Sequence, residues 1–266
     1  MNNKAKENFY GFLYITPFLI PYVIFIAWPT IYSLIISFLK TTIFSNWYDV
    51  FGTMQFVGFD NYLSLLDDKN FWWSLIATAF YALLTIPTGI ILSLLLAIVL
   101  NNKLKGVSFF RSAFFLPNVL DLLVVGIVWC LIFAPNYGLM DMILKSVGIT
   151  YFSENGLLQN KYTVLPTIAF VLVLKSAGFG MILFLTAIQN IPQSVYEAAD
   201  IDGASWFQKT INITVPLVKP IILFLTITGT IAVLNAFSEI YAMTNNTGGP
   251  AMEFMGETVR TRNISV

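Results

Sequence analysis

Residues 197–216 read EAADIDGASWFQKTINITVP, a polar stretch that lies between two long apolar runs of the chain. Pro192 ends the run that precedes it. Pro216 and Pro220 lie at the start of the run that follows, where a missing backbone N–H costs a helix least. The stretch therefore connects two apolar segments, and its own sequence predicts a defined local structure.

The connection carries the signals of two short helical segments joined by a tight turn. Ser194 and Glu197 have the S-x-x-E spacing of a capping box, which predicts a helix over residues 195–202. Gly203 permits the sharp turn or left-handed backbone that would end this helix. A second, amphipathic segment follows, with apolar side chains at helical spacing: Trp206, Phe207 and Ile211. We therefore predict a helix–turn–helix elbow over residues 193–216.

Composition indicates the class of protein. The chain has 266 residues, of which 57% are hydrophobic and 11% are charged, whereas soluble domains carry about 25% charged residues. These values indicate an all-α integral membrane protein. The net charge is zero, so no electrostatic footprint of nucleic-acid binding is present. The sequence has no histidine, which excludes histidine-based catalysis and histidine metal sites, and its one cysteine excludes an internal disulfide.

Five apolar segments are long enough to cross a bilayer, for which a helix needs about 20 residues. They cover residues 9–39, 71–100, 112–135, 162–190 and 217–241. The first is far longer than the apolar core of a signal peptide, roughly 7–15 residues, so we expect it to be retained. Gly178 and Gly180 in the fourth segment predict close helix packing. No apolar segment follows residue 241, and we expect the natural protein to continue beyond Val266.

The distribution of basic residues predicts the orientation. The connection between the second and third spans carries Lys103, Lys105 and Arg111 without an acidic residue, and the N-terminal tail carries Lys4 and Lys6. The connection between the first and second spans is mostly acidic. The positive-inside rule therefore places the N-terminus and the elbow in the cytoplasm. There the elbow either docks in a groove of a partner or is only a capped connector, and its physics leaves both alternatives open.

The elbow resembles the EAA motif, EAA-x3-G-x9-I-x-L-P, of permease subunits of binding-protein-dependent ABC importers. The matching residues are Glu197, Ala198, Ala199, Gly203, Ile213 and Pro216. Val215 stands where the motif has leucine. In that family the elbow is a coupling helix that sits in a cleft of the cytoplasmic ATPase. The resemblance therefore implies that the matching residues, together with Asp202, couple this chain to an ATPase.

The resemblance covers nearly the whole chain. Residues 14–38, 56–66 and 109–133 resemble the first permease subunit of carbohydrate-uptake systems of the maltose and glycerol-phosphate type. TNNTGGP, residues 244–250, resembles the loop before the sixth span of that family. The resemblance implies a single domain with the ABC importer type I permease fold and six spans, of which five are visible here.

The resemblance also implies a function and a set of partners. The chain would be a multi-pass permease subunit of the bacterial cytoplasmic membrane that moves a sugar or oligosaccharide by alternating access. An extracytoplasmic binding protein would deliver the solute, and a second homologous permease and two ATPase subunits would complete the complex. The chain would be no enzyme and would bind no cofactor, because ATP and Mg²⁺ belong to the ATPase. It indeed carries no G-x-x-x-x-G-K-[ST] loop.

Charged and polar residues of the later spans are candidates for the substrate pathway. Membrane charges are rare and are functional hypotheses by default, and Asp121 and Lys175 are two such charges. Asp121 is predicted near the cytoplasmic end of its span, where charge costs less. Lys175 is nearer mid-bilayer, where it lines the pathway or snorkels. The fifth span adds residue types that bind sugars, although Glu239 alternatively only marks its outer end: Asn235, Ser238, Glu239 and Tyr241.

Three other functions compete with sugar uptake. An ABC permease for a non-sugar solute such as glycerol phosphate would carry the same elbow. An ion-coupled secondary transporter would use Lys175 and Asp121, but it needs no ATPase-docking motif. A membrane enzyme would need a serine or lysine nucleophile, because the chain has no histidine and no cluster of acidic residues at metal-ligand spacing.

Overall fold

The fold is that of a computed structural model of the chain, which describes residues 3–40, 50–102, 106–149, 156–160 and 162–244. Residues 245–266, which include most of the TNNTGGP stretch, lie outside the described residues. The described part is mostly helical, as the composition predicts. It divides into two compact units, residues 1–72 and 73–266.

The first unit contains a long apolar helix. It consists of α1, a π-helical turn and α2, which cover Asn3–Tyr22, Val23–Ala27 and Trp28–Ile36. Gly11–Ile36 forms a candidate span of 26 residues, none of which is buried within the chain. Pro17 and Pro21 lie inside α1, where a membrane helix tolerates proline if its neighbours satisfy the freed carbonyl groups.

A small hairpin with two short helices follows this span. Its elements are β1 Leu39–Lys40, α3 Val50–Thr53, β2 Gln55–Phe56 and α4 Asp60–Asp67. The strands are antiparallel, with Leu39 opposite Phe56. Asn61 joins α4 to the hairpin, because its side-chain amide donates to the carbonyl oxygens of Ser37 and Leu39 at 2.9 and 3.0 Å.

The remaining helices include one that is largely buried. They are α5 Lys69–Leu100, α6 Val107–Val119, α7 Leu122–Ile132, α8 Leu139–Ser146, α9 Val164–Gln189, α10 Gln193–Ile201, α11 Trp206–Lys209, α12 Val215–Leu217, α13 Lys219–Leu234 and α14 Ser238–Met243. A π-helical segment, Thr210–Thr214, joins α11 to α12. In α9, 56% of the apolar span window is buried, against 22% in α5. The core of the second unit therefore lies around α9.

Two apolar clusters make up this core. The first surrounds Ile168 of α9 and includes Tyr81 of α5 and Met243 of α14. The second surrounds Phe184 of α9 and includes Val218, which lies between α12 and α13. Both Phe184 and Ile168 are fully buried. The second cluster therefore ties the beginning of α13 to α9.

The spans differ from five uninterrupted helices. Among the described residues, three helices are long and apolar enough to cross a bilayer, and counting two bent helix pairs as spans raises the number to five. The predicted third span, residues 112–135, is one of these pairs, because α6 and α7 meet at 104°. Pro117 lies in the last turn of α6. Asp121 caps the start of α7 by accepting a hydrogen bond from the backbone N–H of Leu123 at 2.8 Å, so a new helix begins there.

The predicted fifth span, residues 217–241, is also interrupted. Helix α13 stops at Asn235, whose side-chain amide donates back to the carbonyl oxygen of Ile231 at 2.8 Å, and α14 begins only at Ser238. At its other end, Trp206–Leu217 meets α13 at a bend of 65°. The second half of the predicted span is therefore a separate short helix.

Glycine permits two close approaches to α9, in agreement with the prediction for the fourth span. A Cβ atom at position 178 would overlap the backbone oxygen of Phe114 in α6. A Cβ atom at position 180 would lie 2.5 Å from the Oγ of Ser93 in α5. Gly178 and Gly180 thus let α6 and α5 pack directly against α9.

Candidate functional site

The elbow, residues 193–216, forms as two helical segments around a turn, but its predicted capping box is wrong. Helix α10 begins at Gln193 with Pro192 as its N-cap, and no side chain caps it. Ser194 therefore lies within the first turn and not before it. The capping box lies instead at the second segment, where the Oγ of Ser205 accepts from the N–H of Gln208 at 3.3 Å and the Oε1 of Gln208 accepts from the N–H of Ser205 at 2.7 Å.

The turn of the elbow depends on Gly203. Its φ of +72° lies in the left-handed region, which favours glycine. The N–H of Ala204 donates to the oxygen of Ala199 at 2.9 Å, and the N–H of Gly203 donates to the oxygen of Asp200 at 3.1 Å. This pair of bonds is a Schellman motif, which ends α10 and reverses the chain direction. The prediction of a sharp turn at Gly203 is confirmed.

Two side-chain contacts hold α10 against the segment that follows it. The hydroxyls of Tyr196 and Thr214 lie 2.9 Å apart and form a hydrogen bond. The Nζ of Lys209 lies 2.6 Å from the Oδ1 of Asp200, which makes an ion pair. Tyr196 and Asp200 are four positions apart and share one face of α10.

The opposite face of α10 is exposed. We define the elbow face as Glu197, Ala198, Ile201 and Asp202, all of which are exposed, with Ile201 at 87% of its full exposure. A helix that inserts into a groove of a partner would expose such a face, with an apolar side chain, Ile201, beside two carboxylates, Glu197 and Asp202. Of the other motif residues, Ala199 is buried, Ile213 is half-buried, and Gly203 and Pro216 are exposed.

A mainly apolar cavity of about 460 Å³, with several polar side chains in its wall, lies in the second unit. Its walls come from α5, the corner between α6 and α7, α9, α13 and the corner between α13 and α14. Four of the five residues predicted for the substrate pathway line it: Lys175, Asn235, Ser238 and Glu239. Lys175 is half-buried, and Glu239 is buried. No ion pair joins these two described residues, so a positive and a negative group both face the cavity.

Tyr241 and Asp121 are not among the residues that line this cavity. The ring of Tyr241 stacks on that of Phe237, with 5.4 Å between centroids. Asp121 is the N-cap residue of α7. A structural role of this kind agrees with the prediction that Asp121 lies near the end of a span. Of the two charges that the sequence places within spans, only Lys175 therefore faces the cavity.

Further polar residues line the cavity that the sequence did not single out: Thr85, Ser93, Asn118, Ser176 and Thr228. Thr85 and Ser93 are eight positions apart on α5, with Gly89 midway between them, so the three share one helix face. A row of small and polar residues along one face of an otherwise apolar span is the sequence pattern that could have predicted this wall of the cavity.

Among the residues that the structure describes, no group of histidine, cysteine, aspartate and glutamate side chains could hold a metal ion. The site therefore consists of a mainly apolar cavity with several hydroxyl groups, one basic and one acidic side chain in its wall, and of an exposed elbow joined to a helix that lines the cavity.

The sequence is similar to known transport proteins. Residues 69–266 match the family described as "Binding-protein-dependent transport system inner membrane component". The lactose transport system permease protein LacF of Rhizobium radiobacter is 35% identical over 250 residues, which cover 93% of this chain and 80% of that protein. The trehalose/maltose transport system permease protein MalF of Thermococcus litoralis is 33% identical over 247 residues, again 93% and 80% of the two chains.

The fold is similar to that of a solved transporter. A chain of a bacterial ABC transporter involved in the import of the acidic polysaccharide alginate superimposes with a TM-score of 0.76 at 23% identity, covering 95% of this chain and 82% of that chain. The expected permease fold is thus confirmed. With the match over residues 69–266, this chain belongs to the family of inner-membrane components of binding-protein-dependent transport systems, as an ABC importer permease and not a catalytic enzyme.

Proposed function

We propose that this permease moves a sugar or an oligosaccharide across the membrane. The observation that carries the proposal is the cavity of about 460 Å³, whose mainly apolar wall carries several hydroxyl and amide side chains. Pockets for small ligands occupy roughly 300–1,000 Å³ and use a few polar groups to fix the ligand's orientation. The named relatives for lactose and for trehalose and maltose support the same class of solute.

The cavity chemistry suits a neutral polyhydroxylated solute. Asn235 and Ser238 offer both donors and acceptors, as sugar hydroxyls require, and Thr228 offers an acceptor, because its own proton is donated to the oxygen of Phe224. Phe179 offers an aromatic ring of the kind that stacks on a pyranose face. Lys175 and Glu239 place one basic and one acidic group on the same cavity, so no cluster of like charges selects an anionic or a cationic solute.

A non-sugar anion such as glycerol phosphate is the second candidate, because Lys175 faces the cavity. The buried carboxyl group of Glu239 on the same cavity disfavours a phosphate by like-charge repulsion when it is ionised. We therefore rank neutral saccharides first.

The elbow is proposed to face the cytoplasm and to dock in a cleft of an ATPase through the elbow face. In this complex the chain pairs with a second permease, two ATPase subunits bind ATP and Mg²⁺, and an extracytoplasmic binding protein delivers the solute. The exposure of Ile201 between the polar residues Glu197 and Asp202 supports this docking role. The five predicted spans and the cytoplasmic N-terminus are part of the same proposal.

The test uses the complex as the cell assembles it. The permease is purified from its natural membrane with its binding partners, reconstituted in vesicles, and supplied with the cognate binding protein and radiolabelled saccharides. ATP-dependent uptake of a neutral saccharide, not competed by an excess of glycerol phosphate, is expected. Uptake of glycerol phosphate and of no saccharide would contradict the proposal, and so would uptake that an ion gradient drives without ATP.

A further inference from the structure

A buried hydrogen bond connects the exposed elbow to the interior of the second unit. Thr214 is 5% exposed, and its hydroxyl bonds to that of Tyr196 at 2.9 Å. Ala199 is buried on the same side of α10. The inner face of α10 thus packs on the π-helical segment through a small residue and one polar contact.

Thr214 is in turn bonded to the point from which α13 starts. The N–H of Val218 donates to the oxygen of Thr214 at 3.0 Å, and the N–H of Ile222 donates to the oxygen of Val218 at 3.2 Å. Val218 is 1% exposed and packs in the apolar cluster around Phe184. The backbone hydrogen bonds therefore continue through the 65° bend between Trp206–Leu217 and α13.

Helix α13 is a wall of the cavity. Leu225, Thr228, Gly229, Ala232 and Val233 of this helix line it. A displacement of α10 that reaches Thr214 therefore reaches the cavity wall through backbone hydrogen bonds that cross the bend at Val218.

The covalent route from α10 to the same helix is less direct. It passes through Gly203, whose surroundings leave open space within 4 Å of the position of a Cβ atom. A glycine turn without lateral packing can absorb a movement by changing its backbone angles. The Tyr196–Thr214 contact bridges this turn.

We propose that Tyr196 and Thr214 are a positioning pair that makes the elbow and α13 move as one body. The inference rests on the proposed docking of the elbow to an ATPase. When the ATPase displaces the elbow face, the pair transmits the displacement to α13 and prevents the turn at Gly203 from absorbing it. Neither residue touches the solute or the ATP.

The ion pair between Asp200 and Lys209 is a weaker brace. The Asp200 side chain is 62% exposed, so water and salt screen the interaction. The Tyr196–Thr214 hydrogen bond is buried at its Thr214 end, so water competes with it much less. The tyrosine–threonine pair therefore carries most of the transmission.

The test measures coupling in the reconstituted complex, with the variants Tyr196→Phe, Thr214→Val and the double variant. Each removes a hydroxyl and keeps the volume nearly unchanged. We expect the ATPase to co-purify as before and the solute moved per ATP hydrolysed to fall about fivefold, the change expected for one hydrogen bond of ordinary strength. The double variant is expected to fall no further than either single variant, because the two residues act as a pair.

The control variants remove a tyrosine hydroxyl and a threonine hydroxyl outside the elbow. Tyr137→Phe and Thr230→Val change an exposed tyrosine and an exposed threonine outside the elbow, and we expect the transport ratio to be unchanged. A second readout is independent of transport and uses spin labels at Ser194→Cys and Leu223→Cys in a Cys130→Ser chain, because both sites are exposed and lie outside the elbow face. The distance distribution between the labels is expected to broaden when Tyr196→Phe is added.

The outcomes separate the inference from the proposed function. An unchanged transport ratio together with an unchanged distance distribution overturns the positioning pair, and so do losses that add in the double variant or loss of ATPase co-purification in Tyr196→Phe. A wild-type complex without an ATPase, or without ATP-driven uptake, overturns the proposed function and removes the basis of the inference.

Discussion

Gly178 in α9 lies directly against the backbone of Phe114 in α6, with the glycine Cα facing the carbonyl group. The contact fixes how closely α6 approaches α9. Neither partner can yield through a side-chain rotation, because the obstacle to a larger residue is main chain. The corner between α6 and α7, which closes one side of the cavity, is positioned by this approach.

The first prediction follows from this contact. Gly178→Ala forces α6 and α9 apart and destabilises the fold by about 1–3 kcal/mol, as overpacking of a core does. Thermal unfolding of the purified protein in detergent measures the loss. Gly11→Ala is the matched control, because nothing lies within 4 Å of a Cβ there and alanine is the better helix former. Equal melting temperatures for the two variants would contradict the packing.

The second prediction concerns the capping of the elbow. Ser205→Ala removes the side-chain acceptor of the Gln208 N–H and destabilises the start of α11 by about 1 kcal/mol. Hydrogen exchange of the amides of residues 206–210 is expected to accelerate about fivefold. Ser194→Ala is the control and leaves exchange at residues 195–199 unchanged, since Ser194 caps nothing. Faster exchange at residues 195–199 in Ser194→Ala, with unchanged exchange at residues 206–210 in Ser205→Ala, would show that the capping box lies at Ser194.

The capping boxes illustrate what the sequence does and does not determine. S-x-x-E at residue 194 and S-x-x-Q at residue 205 are equivalent signals. They differ in what precedes them, because Pro192 is the N-cap residue of the first helix, so Ser194 already lies inside it. Gly203 was predictable, since a left-handed turn between two helices favours glycine over other residues.

The spans also show how much of the structure the sequence predicts. Apolar length indicates that a segment crosses a membrane, and it does not reveal an interruption. The breaks at Asp121 and Asn235 depend on local hydrogen bonds that compete with the helix, and such bonds are only weakly encoded. Both breaks border the cavity, whose wall also includes Thr85 and Ser93 of the unbroken helix α5, two residues that the sequence did not single out.

The third prediction tests the cavity. Lys175→Met removes the cationic group that faces it and is expected to lower uptake at limiting saccharide at least tenfold, because a hydrogen bond from a charged donor is worth about 1.5–3 kcal/mol. ATPase co-purification is expected to stay intact. Lys69→Met is the control, since Lys69 is exposed at the start of α5, away from the cavity. Unchanged uptake by Lys175→Met would mean that this lysine does not contact the solute.

The fourth prediction tests the turn. Gly203→Pro cannot adopt the φ of +72° and removes the N–H that donates to Asp200, so α10 loses its end and its orientation. We expect normal insertion in the membrane, measured by membrane fractionation, with loss of ATP-driven uptake. Retained uptake would show that the geometry of the turn is not needed for coupling.

The central claim is that the elbow face couples this permease to an ATPase, and Glu197→Lys tests it most directly. The variant reverses the charge of an exposed residue that makes no hydrogen bond needed for the fold of α10, and Asn190→Lys adds a lysine beside the elbow as its control. In reconstituted vesicles with the binding protein and ATP, we predict uptake at the wild-type rate for Asn190→Lys and none above background for Glu197→Lys. Uptake by Glu197→Lys at the wild-type rate would contradict the coupling role of the elbow.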